Sequence, residues 1–257
     1  MLILILAAAL IPAFAQTFPP NEAGVSTGHF HLVVRDVEAQ NRFWLAIGGV
    51  PVDNGALKMI QFPGVYILMR KGEPTGGTVG SSVNHIGFFV KSMPDSIAKW
   101  EAAGLKIEKT NNPKQAYLVA PEDIRLEMIE DSSIPTPIAS RHIHFHSASA
   151  TELQTWYVKM LGAKPVEARG NNTAAEIPGV NLTFSKDEMA VAGTKGRSLD
   201  HIGFEVKNLE VFCKKLEAAG VKLDQPYHKA PNANLSLAFI TDPAGTSIEL
   251  TEGLDPK

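Results

Sequence analysis

Arg141-His142-Ile143-His144-Phe145-His146-Ser147 sets three histidines against two large apolar residues in strict alternation. Alternation at period two marks a β-strand, whose successive side chains leave on opposite faces. His142, His144 and His146 therefore share one face, and Ile143 and Phe145 share the face that packs into a core. A strand that lines up imidazoles on its non-core face presents them to a cavity, a metal or water.

The pattern recurs. Gly28-His29-Phe30-His31-Leu32-Val33, Asn84-His85-Ile86-Gly87-Phe88-Phe89-Val90 and Asp200-His201-Ile202-Gly203-Phe204-Glu205-Val206 are three further copies, so His29, His85, His142 and His201 occupy one equivalent position. Residues 85–108 and 201–224 align without a gap and are identical at 12 of 24 positions, including Glu-Ala-Ala-Gly at 101–104 and 217–220. The chain is thus four related units in two homologous pairs, and a repeat on this scale governs the reading of every motif inside it.

Each unit continues in the same order. Asp36 is a helix N-cap, and Val37, Phe43, Trp44 and Ile47 follow at helical spacing up to Gly48-Gly49. In the third unit Ser149 with Glu152 forms a capping box, and Leu153, Trp156, Tyr157, Met160 and Leu161 make one apolar stripe. Short strands follow each helix, for example on either side of Pro63-Gly64 and of Pro178-Gly179. Trp44, Trp100, Trp156 and Tyr157 are expected in the core, whereas Gln61 and Glu176, matched before each Pro-Gly, are candidates to face a pocket. The glycine-rich run 72–80 lacks the Lys-Ser/Thr of a phosphate loop and reads as a flexible connector.

Of the 257 residues, 44% are hydrophobic and 20% charged, with a net charge of −3 and no basic block. That is an ordinary globular mixture, without the electrostatic footprint of a nucleic-acid binder. Residues 1–15 carry no charged side chain and end Ala13-Phe14-Ala15, the pattern of a secretory signal peptide cleaved before Gln16. The expected organisation is a signal at 1–15, a leader at 16–27, a first domain at 28–130, a linker at 131–139 and a second domain at 140–253. The expected location is periplasmic or secreted, with no membrane association of the mature form. The single cysteine, Cys213, lies in a helix-like pattern and reads as a small core residue.

Each half ends in a strand carrying one carboxylate: Glu127 lies between Leu126 and Met128, and Glu249 between Ile248 and Leu250, each six residues after a proline. A Glu on an inner strand is costly to bury unless it is paired or binds a metal. Two imidazoles and one carboxylate from separate strands make a facial triad with open positions. Grouping by sequence half gives His142, His201 and Glu249 as one metal site, with His29, His85 and Glu127 as its first-half counterpart. The competing reading is of edge histidines and a salt-bridged glutamate. Matched register in all four units, with Glu in both halves, favours the metal. His144, His146 and His31 face the same way as the candidate ligand histidines and are candidates to orient a ligand by hydrogen bond or to act as general bases.

The His-Ile-Gly-Phe strand, the Leu-Glu-Ala-Ala-Gly helix end and the Asp242-Pro243-Ala244-Gly245 turn leading to Ile248-Glu249-Leu250 resemble the vicinal-oxygen-chelate superfamily, over residues 28–252. This group includes glyoxalase I, extradiol dioxygenases, and fosfomycin- and bleomycin-resistance proteins. The resemblance implies an α+β fold of four βαβββ modules forming two domains with cup-shaped mixed sheets. It also implies a divalent metal (Fe, Mn or Zn) that chelates two adjacent oxygens of a small-molecule substrate. The family's ligand positions fall on His142, His201 and Glu249, and on His29, His85 and Glu127. A homodimer is a possible assembly. Glyoxalase I-like proteins use a fourth ligand, a Glu, for which the equivalent strands 65–69 and 180–185 offer none, so that activity is disfavoured. Extradiol dioxygenases carry a Tyr ten residues before the ligand Glu, where this chain has Phe239. Their helper histidine matches His228 approximately; His228 on this ground, and His144 on its place beside His142, are the candidate catalytic residues. The resemblance therefore implies a metal-dependent enzyme of dioxygenase, isomerase or lyase type. The alternative is a metal-free binding protein of the bleomycin-resistance type.

Overall fold

A computed structural model describes residues 17–168, 170–231 and 234–256; the expected signal peptide lies outside them. Four modules of strand, helix and three strands follow one another. The first is β1 (Val25–Val34), α1 (Val37–Ile47), β2 (Val50–Asn54), β3 (Leu57–Phe62) and β4 (Val65–Lys71); the second is β5 (Val83–Val90), α2 (Met93–Ala102), β6 (Ile107–Lys109), β7 (Gln115–Ala120) and β8 (Ile124–Glu130). The third is β9 (Ile138–Ser147), α3 (Ala150–Leu161), β10 (Lys164–Val166), β11 (Thr173–Ile177) and β12 (Val180–Lys186). The fourth is β13 (Leu199–Val206), α4 (Leu209–Ala218), β14 (Leu223–Lys229), β15 (Ser236–Thr241) and β16 (Ser247–Glu252). The protein is α+β, and no helix among the described residues is long and apolar enough to cross a membrane.

Local chemistry sets the helix ends. The Asp36 side chain accepts from Ala39 N at 2.9 Å and Gly48 closes α1 in the left-handed region, while Ser149 Oγ accepts from Glu152 N at 3.4 Å. The histidine strands bury the apolar face foreseen for them: Phe30, Ile86, Ile143 and Ile202 are all at most 1% exposed. Trp44, Trp100 and Tyr157 are fully buried, Trp156 packs partly buried against them, and Cys213 lies in the same core.

The modules assemble into two mixed sheets of eight strands, in the orders β14-β15-β16-β13-β1-β4-β3-β2 and β10-β11-β12-β9-β5-β8-β7-β6. The first sheet joins the first module to the fourth, through antiparallel β1 and β13; the second joins the second module to the third, through β5 and β9. The segments 28–130 and 140–253 thus delimit pairs of modules along the chain, while hydrogen bonding pairs modules across that boundary. One continuous apolar core lies between the sheets, bridged by contacts such as Trp44 and Phe62 against Phe88.

The glycine-rich run is not the flexible connector expected. It is held by backbone hydrogen bonds to the matching loop of the other half, Thr75 N to Gly196 O at 2.9 Å and Ser82 N to Ala192 O at 2.8 Å. Arg197 Nε also donates to Gly77 O at 2.9 Å. Glycine content measures freedom in the unfolded chain; the partners that remove it here are more than a hundred residues away.

Candidate metal centres

At the β1/β13 seam, His31 stands opposite His201, and His29 opposite Gly203. Parallel pairing places Glu249 of β16 beside Gly203. His29 Nε2 and His201 Nε2 both lie 2.9 Å from Glu249 Oε2. His201 Nδ1 is held at 2.7 Å by Asp200 Oδ1, the arrangement by which an outer carboxylate fixes the tautomer of a ligand imidazole. All four of His29, His31, His201 and Glu249 offer a donor atom within 4.8 Å of the others.

The β5/β9 seam repeats this arrangement. His144 stands opposite His85 and His142 opposite Gly87, with Glu127 of β8 beside Gly87. Glu127 Oε2 lies 3.0 Å from His142 Nε2 and 3.3 Å from His85 Nε2, and Glu127 Oε1 accepts from Gln115 Nε2. Asn84 Oδ1, at 2.9 Å from His85 Nδ1, takes the place of Asp200.

The grouping by sequence half is therefore corrected. His142 joins His85 and Glu127, not His201 and Glu249; His29 joins His201 and Glu249, not His85 and Glu127. The reason is topological. A parallel crossover keeps β13 beside β16 within one module, but the outer partner of β13 is β1, from the opposite end of the chain.

A glycine in each motif makes the convergence possible. A Cβ on Gly203 would lie 2.1 Å from the Nδ1 and Cε1 of His29, and a Cβ on Gly87 equally close to the ring of His142. The His-Ile-Gly repeat thus carries both a candidate ligand and the space for the imidazole from the neighbouring strand.

Burial alone would raise both carboxylates, but hydrogen bonds from their imidazoles, reinforced by charge, hold Glu127 and Glu249 far below the ordinary range. Burial pushes His31 down to about 3, with His201 and His29 adding to the effect. It likewise takes His144 to about 3, with His85 and His142 contributing, and His142 to about 4 against the pull of Glu127. His85 is lowered by burial too. His201 is raised, because Asp200 and Glu249 outweigh its desolvation. Around Glu127, neutral imidazoles beside an ionised carboxylate are the protonation state a divalent cation requires. The donor set fits a first-row transition metal, for which imidazole is a suitable ligand.

The two cups differ. A cavity of about 420 Å³ reaches His31, His201 and Glu249 and is walled by Arg70, Asp200 and Phe239, with the expected catalytic residue His228 on its rim. His228 is half-buried, its Nδ1 bonded to Pro226 O at 3.0 Å, so the structure brings it to the mouth but not to the donor cluster. The side of this cup against β4 is filled by Leu254, fully buried on Met59, Tyr66 and Leu68. The other cup, about 290 Å³ above Glu127, His142 and His144, is lined by polar Gln115, Asn172, Asn181 and Thr183. Glu176 faces a separate cavity of about 470 Å³, and Gln61 donates to the Tyr66 hydroxyl at 3.3 Å.

The family profile described as glyoxalase/bleomycin resistance protein/dioxygenase superfamily matches residues 82–250, well over half of the chain. The chain belongs to this superfamily. No curated protein sequence matches it. Among solved structures, glyoxalase I from Zea mays superposes with a TM-score of 0.72 at 14% identity, covering 89% of this chain and 92% of that one. A putative dioxygenase from Bacillus subtilis subsp. subtilis str. 168 superposes with a TM-score of 0.68 at 12% identity, covering 94% and 87%. At such identities the likeness is one of fold.

Two residues of this superfamily member escaped the sequence reading. Tyr117 stands ten residues before Glu127, as Phe239 stands before Glu249. It lies opposite Glu127 in the ladder, where that carboxylate's charge reaches it, and sets its ring 5.8 Å from that of His85. The spacing tested in the second half, applied to the first, finds it. Asp200 was legible as the residue before His201, but nothing local marked it as a partner of the imidazole.

Proposed function

We propose that the protein is an exported, metal-dependent enzyme of the superfamily, acting on a small substrate that offers two adjacent oxygens. The observation that carries this is the twofold convergence of two imidazoles on one buried, ionised carboxylate, from modules far apart in the chain. His29, His201 and Glu249 would hold one ion, and His85, His142 and Glu127 a second. A bound divalent metal would supply Lewis-acid polarisation of the substrate oxygens. The uncharged, apolar run at residues 1–15 supports export.

The cup over Glu127 is the better substrate site. Its walls carry amide and hydroxyl groups suited to fixing an oxygen-rich molecule, whereas Leu254 fills part of the other cup. Gln115 donates to Glu127 and holds its carboxylate in place, and Tyr117 stands opposite it in the ladder. The fourth carboxylate of a glyoxalase I site has no counterpart, since Tyr66 and Leu68 on β4, and Asn181 and Thr183 on β12, stand at the matching rungs. The reading therefore favours oxygenation, isomerisation or lysis over glyoxalase I chemistry.

Elemental analysis of the purified protein, combined with melting in a strong chelator, tests the proposal. About two equivalents of transition metal per chain are expected. Their removal should lower the melting temperature by several degrees, because a ligand bound only to the folded state stabilises it. A protein that takes up neither zinc, manganese nor iron, and melts alike with and without chelator, would instead support a metal-free binding role.

A further inference from the structure

We propose that His31 and His144 are direct metal ligands, so that each centre comprises three imidazoles and one carboxylate rather than a facial triad. This rests on the metal-binding reading above and goes beyond it in donor number and metal class.

The first support is the repetition of geometry. The rings of His29 and His201 lie 5.5 Å apart, and those of His85 and His142 5.3 Å. His31 lies 4.5 Å from His201, and His144 lies 4.6 Å from His85. The pairs along each strand, His29 with His31 and His142 with His144, are 6.3 and 6.0 Å apart. Two segments with different neighbours thus hold the same three-ring cluster: a donor atom of His31 lies within 4.8 Å of those of His29, His201 and Glu249, and one of His144 within 4.8 Å of those of His85 and His142, the two rings that bond to Glu127.

The second support is hydrogen-bond accounting. Both ring nitrogens of His31 are buried without a hydrogen-bond partner. A neutral imidazole left so forfeits a donor and an acceptor, and an ion at the shared point would recover the lone pair. His144 differs in an informative way. Its Nε2 lies 2.7 Å from Ser185 Oγ, which donates its own proton to Asn172 Oδ1 at 2.6 Å. Nε2 must then carry the proton, and Nδ1 keeps its lone pair. An outer hydroxyl holding one nitrogen while the other stays free is how ligand imidazoles are oriented. At the rung matching Ser185, β4 carries Arg70, which has no acceptor and turns to Asp200 at 3.4 Å.

The third support is the lack of any carboxylate on β4 or β12 beside the histidines. The fourth donor comes instead from the strand that gives the first, two residues on. Three nitrogens and one oxygen select zinc, copper, nickel, cobalt or iron over magnesium and calcium.

The test is titration of metal-stripped protein with Co²⁺, read by visible absorption and calorimetry, for wild type, His31→Gln, His144→Gln and Glu210→Gln. Glu210 is exposed on α4, paired with Lys214 at 2.8 Å, and serves as control. Each of the first two variants should weaken one of two equivalents by about 100-fold or more, at the upper end of what loss of an outer-shell partner costs. Each should also change the absorption of that equivalent, while Glu210→Gln should match wild type. Excess Mg²⁺ should not compete. If both variants keep both equivalents at wild-type affinity with unchanged spectra, the proposal is overturned and the triad stands. A wild type that takes up no Co²⁺ removes the metal reading itself. Melting of the stripped variants checks folding, and His31→Ala replaces His31→Gln should the latter fail to fold.

Discussion

Gly203 and Gly87 show how much one absent side chain decides. Each lets the imidazole of a facing strand lie flat against backbone, and each sits two residues after a histidine of a proposed triad. Gly203→Ala should push the His29 ring from a site where it is only 1% exposed and has little room to move. We expect a loss of about 1–3 kcal/mol in urea unfolding, typical of overpacking, with weakened metal uptake at that centre and not at the other. Unchanged stability and uptake would show that the ring has another place to go. At this scale the six triad residues were all legible, because four strands share one register and both glutamates lie between apolar neighbours. Which triad each belongs to was not legible. The glycine's neighbour is a residue of another module, and period-two alternation carries no information about which strand lies alongside.

At the scale of elements, the histidine strands and the capped helices follow from alternation and spacing, and they form where those patterns put them. The edge strands β2, β6 and β10 escaped, being short and, in two cases, containing Pro51 or Pro165. The segment after β16 was equally silent in sequence, yet Glu205 fixes it by accepting from Gly253 N at 2.6 Å and Leu254 N at 3.3 Å. Burial pushes Glu205 up to about 7 from an ordinary 4.5; these backbone hydrogen bonds oppose the rise and the charge of Asp255 adds to it. A value raised in the folded state means the neutral form is favoured there. Its contribution to stability is complete below about pH 4.5 and is lost as the pH rises through about 7. Glu205→Gln mimics the neutral form. In denaturant melts it should exceed wild type by about 1–2 kcal/mol at about pH 8 after allowance for screening, and the gap should close by about pH 4.5. A gap independent of pH would place the titrating group elsewhere.

At the scale of the molecule, the decisive feature is that the chain closes each eight-stranded sheet with modules from both of its halves. Each proposed centre draws its residues from one chain, and both seams lie over one core that ties the sheets together. The superfamily's fold was legible from the repeat; the order of assembly was not, since four near-equivalent modules can be paired in more than one way with every buried face satisfied. Counting bound metal in two double variants tests the pairing most directly. His29→Ala/His201→Ala removes two ligands of one centre and should leave about one equivalent per chain. His142→Ala/His201→Ala strikes both centres and should leave none. The reverse result, metal retained in the second variant and lost in the first, would contradict the convergence of imidazoles described here.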